Sequence, residues 1–213
     1  DISFGETQRA LNISNIYELN NGKIWVEASR MGIFEIDKDN LTASRVKELR
    51  DLCGTDNIIY LYEDNNGRIW VSTYDKGLIC INSKLTKVTG SYFVNQPVMY
   101  GGKISQNKDN ILIVSFGNDI YMFDEVRKEF VAIPPPMNKT LIINNFLQRS
   151  NGDFIISTHG QGLWRINEDR RSIEKHNISF NDDTDIEKSR IVSMMEDRDG
   201  NLWIGSFQQG VMM

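Results

Sequence analysis

Glu196-Asp197-Arg198-Asp199-Gly200-Asn201-Leu202-Trp203-Ile204-Gly205-Ser206 is the stretch whose reading decides the fold. An acidic, Asn/Asp-rich cluster closes on a glycine, and a short apolar run centred on tryptophan follows. That order is a turn feeding a β-strand. Ten residues after Gly200 stands a second glycine, Gly210, with Val211 directly behind it. The same frame occurs at Gly22 and Gly32, at Gly67 and Gly77, and at Gly152 and Gly162, followed by Ile33, Leu78 and Leu163. The aligned strands read Ile24-Trp25-Val26, Ile69-Trp70-Val71 and Phe154-Ile155-Ile156. A fifth, degenerate copy runs from Asp109-Asn110-Ile111-Leu112 to Asp119-Ile120, with Asn110 in place of the first glycine.

First-glycine positions 22, 67, 110, 152 and 200 are separated by 45, 43, 42 and 48 residues. A period of about 40–50 residues with several short strands per unit is that of a β-propeller blade. Helical repeats of similar length need apolar residues at helical spacing. This chain instead has apolar runs broken by Asn, Asp and Gly. The second repeat predicts strand A at 58–62, strand B at 69–73, strand C at 78–82 and a polar outer strand D at 87–93. The fifth predicts A at 191–195, B at 202–206 and the start of C at 211–213. The expected fold class is therefore all-β, a β-propeller of about five four-stranded blades in one domain over residues 1–213. The repeat units are 13–50, 56–93, 102–133, 142–178 and 190–213. Residues 1–7 stand where an outer strand would complement the last blade, and the chain reads as a fragment of a larger propeller.

These residues resemble the two-component regulator propeller family, whose repeat runs acid-x-x-Gly-x-Ile/Leu-Trp-Ile/Val-Gly-Thr/Ser-x3-Gly-Leu. Glu196 to Val211 is the best match and Asn66 to Leu78 is nearly as good. Asn151 to Leu163 carries Ile155 where the Trp belongs. The resemblance implies the extracytoplasmic, periplasmic sensor region of a membrane-bound hybrid histidine kinase of Bacteroidetes type, detecting oligosaccharides for polysaccharide utilisation. The partners it implies are an oligosaccharide ligand, the remaining blades and domains of the parent sensor, and a second copy in a homodimer. Kinase activity would lie in another part of the parent.

Composition is compatible with this. The 213 residues carry 24 Lys+Arg and 29 Asp+Glu, a formal charge of −5. Phosphate-backbone binding needs a clustered basic surface, so no nucleic acid is expected. No apolar run reaches the roughly 18 residues of a membrane span, and the start Asp1-Ile2-Ser3-Phe4 reads as no export signal. Cys53 and Cys80 can form one bridge or stay two buried thiols, and separate thiols are the expectation. No metal-ligand spacing, phosphate loop or nucleophile elbow occurs, so no cofactor, no metal and no catalytic residue is assigned.

Trp25, Trp70 and Trp203 hold one register position and are expected to pack between blades, with Trp164 in a strand C. The acidic turns are expected to serve the hairpins, because Asp and Asn side chains bond nearby backbone N–H groups. Asp182, Asp183 and Asp185 read as a solvated loop. The B–C loops differ in every blade, while the A–B turns are near-copies. Variation confined to one loop set places function on that face. The candidate ligand-binding residues are Arg30, Tyr74, Asp75, Lys76, Asn118, His159, Gln161, Phe207 and Gln208. The D–A loops at 95–103 and 134–137 share their face. Two other readings are a glycan-active hydrolase or lyase with His159 as general base, and a protein-interaction scaffold.

Overall fold

The structure, a computed structural model, describes residues 12–94, 96, 101–106, 110–136, 140–167, 169–178, 186–207 and 209–213. The chain forms two compact units, Asp1–Val98 and Met99–Met213. The first holds β1 (Ile13–Glu18), β2 (Ile24–Ala28), β3 (Gly32–Asp37), β4 (Thr42–Arg45), α1 (Lys47–Cys53), β5 (Ile58–Glu63), β6 (Ile69–Thr73), β7 (Leu78–Ile81) and β8 (Val88–Tyr92). The second holds β9 (Gly101–Gln106), β10 (Leu112–Phe116), β11 (Asp119–Asp124), β12 (Glu129–Ile133), β13 (Ile143–Gln148), β14 (Phe154–Thr158), β15 (Leu163–Ile166), β16 (Ile173–Lys175), β17 (Ile191–Glu196), β18 (Leu202–Ser206) and β19 (Gly210–Met212). The strands make four antiparallel meanders of four strands and one, β17-β18-β19, of three. Each meander is a blade of an all-β propeller, two in the first unit and three in the second. Residues 1–7, expected to add an outer strand, lie outside the described residues.

Strand B is where the repeat is strongest. β6, β10 and β14 are buried along their whole length. In the second and fifth blades the turn before strand B is built by one carboxylate. In the second blade Asp64 Oδ1 accepts the N–H groups of Asn66 and Arg68, both at 2.9 Å. Asp64 Oδ2 accepts the indole Nε1–H of Trp70 at 2.8 Å. Asp64 and Trp70 are both 0% exposed, and the Arg68 guanidinium donates to Asp64 at 2.6 Å. The fifth blade repeats the device: Asp197 takes the N–H groups of Asp199 and Asn201 and the indole of Trp203 at 2.7 Å. In the first blade Leu19 stands in the Asp position, and Trp25 Nε1 donates to Glu35 on β3 at 3.1 Å. The expected structural role of the acidic turns is thus given a definite partner, the tryptophan six residues on.

Neighbouring blades pack through facing apolar surfaces, and the fourth blade uses both of its faces. In the first unit Leu19, Trp25 and Ile33 of the first blade meet Ile58, Leu61, Ile69, Val71 and Ile79 of the second in one buried cluster. In the second unit Ile155 and Leu163 of the fourth blade meet Ile191 and Ile204 of the fifth. Trp164 is 4% exposed and belongs to the cluster joining the third and fourth blades. Polar latches tie neighbouring A–B turns together. Glu63 accepts the Asn20 N–H at 2.6 Å. At the same register Glu196 accepts the Ser150 N–H at 2.5 Å and the Arg149 guanidinium at 3.1 Å.

Cys53 and Cys80 are free and buried, and burial pushes the Cys53 thiol up to about 12. Helix α1 is a departure from the all-strand reading. The segment Lys47-Glu48-Leu49-Arg50-Asp51-Leu52 is made of helix formers, buries Leu49 and Cys53, and ends on Gly54 in the left-handed region (φ 65°). Glycine is required at Gly77, whose φ is +77° and where a Cβ would lie 2.4 Å from the Tyr92 carbonyl oxygen.

Replacing Asp64 by Ala removes the fully buried carboxylate that accepts the Trp70 indole N–H, two turn N–H groups and the Arg68 guanidinium. The expected loss is about 3 kcal/mol or more in urea denaturation. Asp197 is held well below the ordinary carboxylate value, at about 2, by its hydrogen bonds from Trp203 and Asn201. A group with a depressed folded-state pKa stabilises above its unfolded value and loses that contribution as pH falls to the folded value. The thermal midpoint should therefore fall between about pH 4 and pH 2, and less steeply in Asp197→Asn.

Candidate functional site: the B–C loop end of the blades

The B–C loops of the first, second, fourth and fifth blades start from the same hydrogen bond. The residue after strand B donates its N–H to the carbonyl of the residue just ahead of strand A. The pairs are Ser29 to Asn12, Tyr74 to Asn57, His159 to Ile142 and Phe207 to Arg190, at 2.9–3.0 Å. This places the B–C loops beside the D–A junctions, as the sequence reading expects, and makes Ser29, Tyr74, His159 and Phe207 equivalent positions. Thr73 and Thr158 then close their loops by hydrogen-bonding the carbonyls of Gly77 and Gly162.

In the first unit these loops build a cleft of about 580 Å³ lined by Ser29, Arg30, Asn57 and Tyr74. Ser29 and Arg30 come from the first blade, Asn57 and Tyr74 from the second. Its frame is fixed from behind. Met31 N–H bonds Ala28, and the Arg45 guanidinium holds the Met31 carbonyl at 2.6 Å. Asn57 N–H bonds the Thr55 hydroxyl at 3.1 Å. Arg45 and Arg50 share Asp56. The Tyr74 ring is 51% exposed and so available as a flat apolar surface.

Of the sequence-predicted residues, Arg30 and Tyr74 share this cleft. Asp75 and Lys76 sit in the same B–C loop, both exposed. The Asp75 carboxylate accepts the Thr55 hydroxyl at 3.0 Å, and the Lys76 N–H bonds the Thr73 hydroxyl. Asn118 is exposed in the third blade's loop. Gln161 spends its side chain on the backbone: its Oε1 accepts the Ile142 N–H and its Nε2 donates to the Thr140 carbonyl, both at 2.8 Å. Its own carbonyl takes the Trp164 indole and the Lys175 ammonium. His159 and Phe207 flank Arg190. A backbone bridge links His159 to Arg190, and the Arg190 guanidinium lies 5.8 Å from the Phe207 ring centroid, with that ring 74% exposed. Gln208 lies outside the described residues, as do Asn95, residues 97–100, Met137 and Asp182, Asp183 and Asp185.

Sequence reasoning missed Ser29, Asn57 and Arg190. A register signal marks them. Ser29 stands seven residues after its glycine, as Tyr74 does, while Asn12, Asn57 and Arg190 stand ten before theirs. Among the described residues no group of three His, Cys, Asp or Glu side chains gathers to hold a metal. No described helix is long and apolar enough to cross a membrane.

The family model described as two component regulator propeller matches residues 52–75 and 185–208. Two segments of this chain thus match the two-component regulator propeller repeat. The two matched segments hold the Asp64–Trp70 and Asp197–Trp203 pairs, so the family signal coincides with the blades whose turn carboxylate binds the strand B indole. No curated protein sequence matches the chain. Among solved structures, the extracellular domain of the putative hybrid two component system BT4673 from B. thetaiotaomicron is 20% identical, with a TM-score of 0.74 over 99% of this chain and 28% of that one. The corresponding domain of BT3049 from the same organism is 13% identical, with a TM-score of 0.72 over 94% and 26%. Catalytically inactive virginiamycin B lyase from Staphylococcus aureus, solved with quinupristin, is 15% identical, with a TM-score of 0.69 over 97% and 70%. At these identities the likeness is one of fold. The chain spans about a quarter of the length of the two B. thetaiotaomicron domains.

Substituting Thr55 by Val removes the anchor of both Asp75 and the Asn57 N–H. Faster amide exchange across residues 55–57 and 74–76, with the rest of the propeller repeat unit unchanged, is the expected result.

Proposed function

We propose that this chain is a ligand-sensing part of the extracytoplasmic, periplasmic region of a hybrid two-component sensor. It binds an oligosaccharide and leaves kinase chemistry to other domains of the parent. The repeat match and the shared fold with extracellular domains of putative hybrid two component systems support the sensor assignment. The remaining blades of the parent and a second copy are the partners of such a region.

The observation that carries the ligand reading is the cleft of Ser29, Arg30, Asn57 and Tyr74. It combines an exposed aromatic face with planar and hydroxyl hydrogen-bonding groups. A sugar offers the complement, an apolar ring face edged by hydroxyls. The volume of about 580 Å³ falls in the usual range for small-ligand clefts. The lining backbone is held by hydrogen bonds before any ligand arrives, which lowers the ordering cost of binding.

Isothermal titration of the chain with a panel of oligosaccharides tests this reading. Binding by at least one member, weakened about tenfold or more in Tyr74→Ala, is the expected outcome. An affinity that Tyr74→Ala leaves unchanged would move the site away from this cleft.

A further inference from the structure

The saccharide reading leaves the class of sugar open, and the charges around the cleft decide it. Four arginines of the first unit are described: Arg30, Arg45, Arg50 and Arg68. Arg45 and Arg50 both reach Asp56, at 3.4 and 3.1 Å, and Arg68 reaches Asp64 at 2.6 Å. Arg30 makes no hydrogen bond or ion pair with any described residue and is exposed. The described lining of its cleft contains no acid. The nearest acid in sequence to Tyr74 is Asp75, whose Oδ1 is engaged by the Thr55 hydroxyl.

The backbone adds an independent observation. Arg30 has φ +60°, in the left-handed region that glycine or asparagine occupies with less strain. The third and fourth blades place glycines in this region of their B–C loops, Gly117 at φ 63° and Gly160 at φ 70°. The turn alone therefore gives no reason for arginine at this position, and strained backbone of this kind concentrates at ligand sites. Ser29 and Asn57 present neutral groups beside the guanidinium, and Tyr74 presents its ring.

We infer that the ligand of this cleft is an anionic saccharide, one whose carboxylate or sulfate is received by Arg30 while a sugar ring lies on Tyr74. A planar guanidinium matches either oxyanion with paired N–H donors. This rests on the saccharide reading of the cleft and adds the charge of the sugar to it. Because Arg30 is exposed, the interaction is screened by salt. Anionic ligands should therefore bind more weakly as ionic strength rises, and neutral ones should not.

The test titrates the chain with three probes of equal length: an oligogalacturonide, a sulfated oligosaccharide and a neutral oligoglucoside. Arg30→Gln, Arg30→Lys and Tyr74→Ala are titrated alongside, after thermal melting has shown each to be folded. At least one anionic probe should bind about tenfold or more tightly than the neutral one. Arg30→Gln should remove that advantage and its salt dependence, and Arg30→Lys should retain part of both. Binding of the galacturonide alone identifies a carboxylate, and of the sulfated probe alone a sulfate. Equal binding of neutral and anionic probes, unaffected by Arg30→Gln but weakened by Tyr74→Ala, overturns the anionic inference and leaves the saccharide reading standing. Failure of all three probes to bind, or indifference of binding to Tyr74→Ala, overturns both.

Discussion

A buried indole has one polar atom, and each tryptophan-bearing blade of this chain must find it an acceptor. In the second and fifth blades that acceptor is the turn aspartate six residues earlier, Asp64 for Trp70 and Asp197 for Trp203. The same carboxylate receives two N–H groups of the turn, so one side chain sets the hairpin and anchors the ring in the middle of strand B. In the second blade, where Asp64 and Trp70 are fully buried, an unpaired indole N–H and an unpaired carboxylate both carry the full cost of desolvation. The fourth blade loses both together, whereas the first loses only the aspartate and keeps Trp25. Leu19 replaces the aspartate in the first blade, and Glu35 takes over as acceptor. In the fourth blade Arg149 and Ile155 stand in the two positions. The arginine, with no indole to serve, reaches across to Glu196 and the Gly200 carbonyl of the next blade.

That constraint divides each blade into two ends. At the A–B end the turn residues are committed to the indole or to the latch between neighbouring turns, so their identity varies little. At the B–C end the frame is backbone: one N–H to the strand A side and, in the second and fourth blades, a threonine on the second glycine. Backbone bonds do not depend on which side chain stands at the position. Ser29, Tyr74, His159 and Phe207 can therefore occupy one site without disturbing the fold, and chemical variety accumulates there.

The same division explains what was legible in the sequence. Strand B was readable to the residue at 69–73 and 202–206, because glycine and tryptophan mark its register. The strand A and C limits shift by one residue, at Glu63 and Ile81 for example, where no such marker exists. Helix α1 was not legible, since it lies between blades, outside the period, and owes its place to the burial of Leu49 and Cys53. Arg30 and Tyr74 were legible as loop residues, and their meeting in one cleft follows from the twofold use of neighbouring blades. Gln161 looks different in sequence from what it does in the fold. Its amide looks like a free hydrogen-bonding group in sequence, but both of its ends are bound to the Thr140–Ile142 backbone. Composition cannot distinguish an amide that waits for a ligand from one that holds a loop.

The cleft in the first unit is bounded by two blades and braced by the connection between them. Arg45 at the end of β4 grips the Met31 carbonyl of one rim. Asp56 receives both Arg45 and Arg50 of α1, and the neighbouring Thr55 and Asn57 support the other rim. A ligand joining Arg30 to Tyr74 would therefore span a junction that the chain already holds nearly fixed. Such a site binds with little reorganisation, and for the same reason a ligand can shift only the small population in which the two rims differ. The response of a preorganised site then depends on occupancy more than on movement. Under the proposed saccharide reading, groups that a bound sugar presents beyond Tyr74 would become part of the loop surface, and a partner touching that surface would gain contacts only when the cleft is filled.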